Sequence, residues 1–342
     1  AFHIDDSMFW INRKDLWSDP KNVEWSNWSG KIIAHRIIGW VGNSAPILAP
    51  PMCYNSPAII KEATRRAKDV IGAEIKKNVD RLNAEGKAHL FMGVIAGWET
   101  RLQDDTYNPH IEAGYCALTN LNYSVSNPPK DKNAVLIGVV RDWVILWTKA
   151  LHDAGLSKDK IFTHIAIGPD GDAGAPDAPL SVAFTDYSNP GFSLYGFSYS
   201  TTLKDALDQH GNPPWGVSEG TAVNIQGAFT GGTGAVSSME GYLANVFNNG
   251  GVYVDLFGWS ASGSAPGEGN RFAEATSGTS SITAYQKFLS GGVLRASTIQ
   301  APSTSAPCPV PLPADAPATL ASKCSQIVSA EKASKITYPV GP

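Results

Sequence analysis

Two glutamates stand where apolar runs stop. Glu99 closes Leu90-Phe-Met-Gly-Val-Ile-Ala-Gly-Trp98-Glu99, and Glu219 sits in Trp215-Gly-Val-Ser-Glu219-Gly-Thr. Two carboxyl groups turned into one opening are the minimum equipment for cleaving a glycosidic bond: one protonates the leaving oxygen, the other attacks or activates water. In this assignment Glu99 is the general acid/base. It must hold a proton at one step and release it at the next, and Trp98 with its apolar strand supplies a desolvating wall that favours the protonated form. Glu219 is the nucleophile, kept ionised by hydrogen bonds from Ser218, Thr221 and a nearby tyrosine, with Tyr187 the preferred candidate. The plainer alternatives are a surface Glu99 paired with Arg101 and a buried, structural Glu219.

Other side chains could line the same opening. His164, within Phe162-Thr-His-Ile, is placed to hydrogen-bond a sugar hydroxyl or Glu219, or to be a satisfied core histidine. His110, in Asn108-Pro-His-Ile-Glu112, is a loop residue that could face the cleft. Asp5, just after Phe2-His-Ile, either binds sugar hydroxyls or caps a helix, and Asp6 beside it shares that choice. Trp98, Trp215, Trp259 and Tyr195 could present flat faces to a pyranose ring, although aromatics are also common core fillers. Metal and nucleotide chemistry lack support: there is no Cys-x-x-Cys, no His-Glu-x-x-His, and Gly231-Gly-Thr-Gly234 has no following Lys-Ser/Thr. No metal or cofactor is expected.

The elements that must position these groups read as buried parallel strands alternating with helices. Apolar runs bounded by Gly or Pro predict strands at Phe2–Ile4, Lys31–Trp40, Leu90–Trp98, Ile161–Ile167, Leu180–Thr185, Trp215–Ser218 and Gly251–Trp259. Three- and four-residue apolar spacing predicts helices over Ala58–Ala84 (after Ser56-Pro57), Val135–Ala154, Thr202–His210, Met239–Asn248 and Ile282–Leu289. Arg101–Lys132 and the aromatic stretch Tyr187–Tyr199 read as long loops over the site. The alternation argues for an α/β barrel, whose catalytic groups sit at the carboxyl ends of strands.

With Glu219 three strands beyond Glu99 and one strand remaining, the layout resembles the (β/α)8-barrel retaining glycoside hydrolases of the large clan with acid/base after strand 4 and nucleophile after strand 7. Trp259, ending the last strand, is similar to the aromatic that floors the sugar site in that clan. The resemblance covers Leu90–Trp259 and is architectural, with no numbered family assigned. It implies a TIM-type barrel over residues 1–298 with long loops at its C-terminal face, and a double-displacement mechanism. Two departures stand out. Trp98-Glu99 replaces the usual Asn-Glu, and two strand candidates precede Leu90 where three are needed. The alternative is a non-catalytic glycan-binding barrel that keeps the cleft.

Bulk properties agree with a neutral polymer as partner. The 342 residues are 43% apolar and only 17% charged, against about 25% in typical soluble domains. A net charge of −4 offers no basic face for nucleic acid, and no apolar run is long enough to span a membrane. Residues 299–342 are rich in Pro, Ala and Ser and read as a C-terminal extension stapled by Cys308–Cys324. Cys53 and Cys116 can pair or stay reduced. The sequons at Asn27 and Asn122, with the abrupt opening Ala1-Phe-His-Ile, suit an extracellular chain, either a processed mature terminus or a start partway through a domain.

Overall fold

Short parallel strands set the frame of the molecule. The computed structural model describes residues 1–33, 49–102, 112–167, 174–195, 200–221 and 239–256. Among these residues, β1 (Phe2–Ile4), β2 (Val94–Ala96) and β3 (Ile161–Thr163) form one sheet, and β4 (Gly191–Tyr195), β5 (Trp215–Thr221) and β6 (Gly251–Leu256) form a second. Every pairing is parallel, with Phe2 opposite Val94, Val94 opposite Ile161, and Gly191 opposite Gly216. Parallel neighbours need crossovers. These are α1 (Lys14–Trp17), α2 (Pro57–Arg65) and α3 (Ala73–Ala84) before β2, then α4 (Tyr115–Asn120) and α5 (Lys132–Asp153) before β3. Further on, α6 (Thr201–Gln209) precedes β5 and α7 (Met239–Asn248) precedes β6.

The expected (β/α)8 barrel is not what forms. There are two three-stranded parallel sheets, and no closed barrel is seen among the described residues. The edges of β3 and β4 are tied by isolated parallel bridges, Phe162 to Asn189 and Ile165 to Phe192. Between β1 and β6 no backbone ladder is formed; they meet through side chains, with His3 Nδ1 3.7 Å from Asp255 Oδ2.

Two segments read as strands do not supply them. Leu180–Ala183 is a 3-10 helix entered from Pro179, and its apolar side chains are buried against α5 and α6 instead of joining a sheet. Of Lys31–Trp40, Ile32 makes an antiparallel bridge to Trp25, and residues 34–40 lie outside the described residues. A short apolar run cannot by itself be told from a buried helical turn. Conversely, β4 lies inside the stretch expected to be loop. Phe192 and Leu194 point to the core while Ser193 and Tyr195 share the other face, the period of two that a strand requires.

Helix α5 organises the larger core. Asp131 Oδ1 caps it by accepting from the Ala134 amide at 2.9 Å, and Leu136, Val140, Trp143, Trp147 and Leu151 are buried along its inner face. The long helix expected over Ala58–Ala84 is present as α2 and α3 joined by a π-helical stretch, Arg66–Gly72. A second apolar cluster links the two sheets: Ile95, Phe162 and Tyr253, with the Phe162 and Tyr253 rings 4.5 Å apart edge to face. Gly216 makes room for it, because a Cβ there would run into the Tyr253 ring. The helix at Ile282–Leu289, the extension 299–342 and the Cys308–Cys324 staple lie outside the described residues.

Replacing Gly216 with Ala should therefore cost about 1–3 kcal/mol in urea unfolding through overpacking. Gly138→Ala, in α5 with open space around its Cα, should be neutral or stabilising by comparison. Equal effects of the two would contradict this account of the seam between the sheets.

Candidate functional site

Strand β2 ends at Ala96 and the chain turns sharply. Gly97 has φ 103° and Glu99 has φ 48°, so Glu99 occupies the left-handed region that a glutamate rarely adopts. A Cβ on Gly97 would lie 2.8 Å from Thr100 Oγ1, and only glycine fits this position without displacement. The turn is held from below by Asp6, which is almost fully buried. Its Oδ1 accepts from the Trp98 amide at 3.3 Å, and its Oδ2 accepts from Thr100 Oγ1 and Trp143 Nε1, both at 2.8 Å. Beyond the turn, Tyr54 donates to the Arg101 carbonyl at 3.0 Å, and the Leu102 amide donates to Asp177 Oδ2 at 2.9 Å. Burial, then the charge of Asp5, raises the Asp6 carboxyl to about 6 against the pull of its three donors.

Glu99 is thus presented on a braced arm. Its Oε1 accepts from Ser193 Oγ at 2.6 Å, and its Oε2 lies 3.3 Å from the Arg101 guanidinium. The two side chains are only 21% and 18% exposed. Ser193 gives its proton to Glu99, so His164 Nε2, 2.8 Å from the same Oγ, must be the donor to Ser193. That leaves His164 Nδ1 as acceptor for His3 Nε2 at 3.0 Å, and His3 Nε2 also reaches the Gly97 carbonyl at 3.1 Å. Hydrogen bonding in this way fixes the neutral tautomer of His164. Burial and the neighbouring His3 push its pKa well down, consistent with a neutral ring.

Glu219, near the carboxyl end of β5, is the register partner of Ser193 on β4. The Tyr195 hydroxyl donates to Glu219 Oε1, and the Trp98 indole donates to the same carboxyl. Burial first, then the charges of Glu99 and Asp255, raise Glu219 to about 7, with the Tyr195 and Trp98 bonds pulling the other way. The Tyr195 phenol is itself pushed far up by burial and by Glu219, so it stays a neutral donor. His3, His164 and Glu219 bring one ligand atom each within 4.8 Å of one another, the cluster among the described residues best able to hold a metal ion. Both ring nitrogens of His164 are already engaged within the protein.

The two glutamates read from the sequence are therefore brought into one electrostatic unit, joined by Trp98, Ser193 and Tyr195. Other expected residues fall elsewhere. Tyr187 packs against His152 and Lys149 of α5, so Tyr195 takes the role expected of it. Trp215 is fully buried at the start of β5, its indole donating to the Asn249 carbonyl at 2.8 Å; it is core, not a sugar platform. Asp5 accepts from the Ser7 amide and hydroxyl at 2.7 and 2.8 Å, a turn ahead of the 3-10 helix Met8–Asn12, whose N-cap Ser7 makes no side-chain cap bond. His110 and Trp259 lie outside the described residues. His3 and Ser193 were not singled out; alternation within Phe192-Ser-Leu-Tyr195 was the signal for Ser193.

No family model matches the chain, and neither a curated protein nor a solved structure matches it. Among the described residues no helix is long and apolar enough to cross a membrane.

Three buried carboxyls bind protons more tightly in the folded chain than in the unfolded one: Asp6 (3.8 to about 6), Glu219 and Glu24 (each 4.5 to about 7). Their contribution is complete below about pH 4 and is lost as pH rises through about 7. Ion-paired Glu62 and Glu112 are shifted down and act below that window. The depressed His164 opposes this below its ordinary value of 6.5, but one group against three should leave the thermal midpoint falling between pH 5 and pH 7.5, with Asp6→Asn flattening the lower part and Glu24→Gln the upper part. A midpoint that rises across that range would contradict the assignment.

Proposed function

We propose that the chain hydrolyses glycosidic bonds of a neutral carbohydrate by double displacement, using Glu99 and Glu219. The observation that carries this reading is the convergence of two carboxyls from different sheets. Each is furnished with its own donors, and they are near enough for the charge of one to raise the other. Glu219, raised to about 7, keeps its proton up to neutrality, as the acid of a glycosidase must at the start of its cycle.

Local electrostatics distribute the roles in the reverse of the sequence expectation. That expectation rested on strand order and on a desolvating wall at Trp98; no closed barrel is seen among the described residues, and the Trp98 indole donates to Glu219. Ser193 donates to Glu99 Oε1 and the Arg101 guanidinium lies against its Oε2, which aims that carboxyl as a nucleophile. Burial beside the Glu99 carboxyl favours the protonated form of Glu219. Glu219 then delivers its proton to the leaving oxygen while Glu99 attacks the anomeric carbon, giving a glycosyl ester on Glu99. In the second step Glu219 takes a proton from water, the hydroxide attacks the same carbon, and Glu99 is released. Trp98 and Tyr195 hold Glu219 in place during both steps. The low charge content and sequons suit an extracellular setting.

A panel of aryl glycosides tests the reaction. The free-enzyme activity should fall as pH rises above about 7, where Glu219 loses its proton. Glu99→Ala and Glu219→Ala should each lower kcat/KM by at least about 10³-fold on unactivated substrates. With azide, Glu99→Ala should yield a glycosyl azide of inverted configuration and Glu219→Ala one of retained configuration. The opposite pattern would restore the roles expected from strand order, whereas sugar binding without release of reducing ends would overturn hydrolysis itself.

A further inference from the structure

Away from the carboxylate pair, a buried group of Glu24, Cys53 and Cys116 has no part in hydrolysis. All three are essentially inaccessible to solvent. Cys53 lies just before α2 and Cys116 lies in the first turn of α4; both are free thiols here. Cys53 Sγ donates to Asn55 Oδ1 and Cys116 Sγ to the Lys21 carbonyl, both at 3.4 Å, and the two thiols lie close enough to each other and to the Glu24 carboxyl to interact. Glu24 also accepts the Cys116 and Ala117 amides at 3.2 and 3.3 Å, and Asn120 Nδ2 approaches Cys53 Sγ at 3.3 Å. The backbone around Cys53 is pinned by its own amide donating to the Asn22 carbonyl at 2.9 Å.

We propose that Cys53 and Cys116 are a modification site, a buried dithiol that a peroxide oxidises to an intramolecular disulfide with Glu24 as the local base. Asn120, one turn along α4 from Cys116, donates to Cys53 Sγ, so the two thiols share one buried pocket whose surroundings exclude competing thiols. Burial pushes the Cys53 thiol up, so it is inert until its proton has an acceptor. Among the described residues Glu24 is the carboxyl beside it, and burial places that group at about 7, able to exchange a proton near neutral pH.

The chemistry balances with hydrogen peroxide as oxidant. Cys53 passes its proton to Glu24, and the thiolate attacks one peroxide oxygen. The O–O bond breaks, leaving Cys53 sulfenic acid and a hydroxide that takes the proton back from Glu24 as water. Cys116 sulfur then attacks Cys53 sulfur, the S–O bond breaks, and the hydroxyl departs with the Cys116 proton as a second water. Two thiols and one peroxide give one disulfide and two waters. The new bond fixes the segment before α2 to α4. It lies next to Tyr54, whose ring stacks on Trp143 and whose hydroxyl holds the Arg101 carbonyl.

The full chain, purified in reductant and then exposed to hydrogen peroxide, should lose two hydrogens at this pair. A non-reduced digest should yield a Cys53–Cys116 cross-linked peptide, and the thermal midpoint should rise by several degrees. The Cys53→Ala/Cys116→Ala double variant should show no such redox-dependent rise. Glu24→Gln should slow cross-linking at least about tenfold, and Glu24→Asp should retain part of the rate. Both thiols remaining alkylatable after peroxide, sulfinic acid at either one, or cross-links to Cys308 or Cys324 in their place would overturn the proposal. Cross-linking at the wild-type rate in Glu24→Gln would overturn the role of Glu24.

Discussion

The buried carboxyl of Asp6 is the constraint on which the site depends. A single side chain at the end of β1 collects a backbone amide from Trp98, a hydroxyl from Thr100 and an indole N–H from Trp143. It thereby binds the first strand, the turn after β2 and the inner face of α5 to one point. The turn it holds is strained: a left-handed glutamate costs on the order of 1–3 kcal/mol. Each of the three donors would cost about 1–3 kcal/mol if left buried without a partner. The anchor therefore outweighs the strain, and Glu99 stays where the turn puts it.

From that point the site is assembled across the seam between two sheets. Glu99 comes from the first sheet, Ser193, Tyr195 and Glu219 from the second, and His164 from the chain just beyond β3, where bridges tie the sheets together. The file from His3 through His164 and Ser193 ends on Glu99 Oε1, while Arg101 holds Oε2, so the carboxyl is oriented from both oxygens. Low dielectric strengthens each of these bonds and equally raises the cost of ionising a second carboxyl nearby. Burial first, and the Glu99 charge after it, raise Glu219 in this way.

The sequence made some of this legible and hid the rest for physical reasons. Glu99 and Glu219 were visible as acidic residues set against apolar runs, and the structure brings their carboxyls near enough to interact. The helices α5, α6 and α7 followed from apolar spacing and capping, since those signals are local. The sheet was harder. Strands of three residues such as β2 and β3 leave almost no periodic pattern, and β4 was hidden by the aromatic and Gly-Pro character of its neighbours. Leu180–Ala183 shows the converse, an apolar run that burial satisfies in a 3-10 turn. Trp215 and Tyr187 were misplaced because type and chain position do not say which side of a sheet a ring occupies. Ser193 and His3 act through long-range partners, and no local pattern marks such a role.

Carboxyl-selective carbon-13 NMR on protein labelled at its glutamates tests the central claim most directly, because it needs no substrate. The account predicts that Glu219 titrates near pH 7 in the native chain and shifts toward the ordinary carboxylate range when Glu99 is replaced by Gln. A Glu219 signal that titrates in the ordinary range and ignores the replacement would mean that the two carboxyls do not share a site.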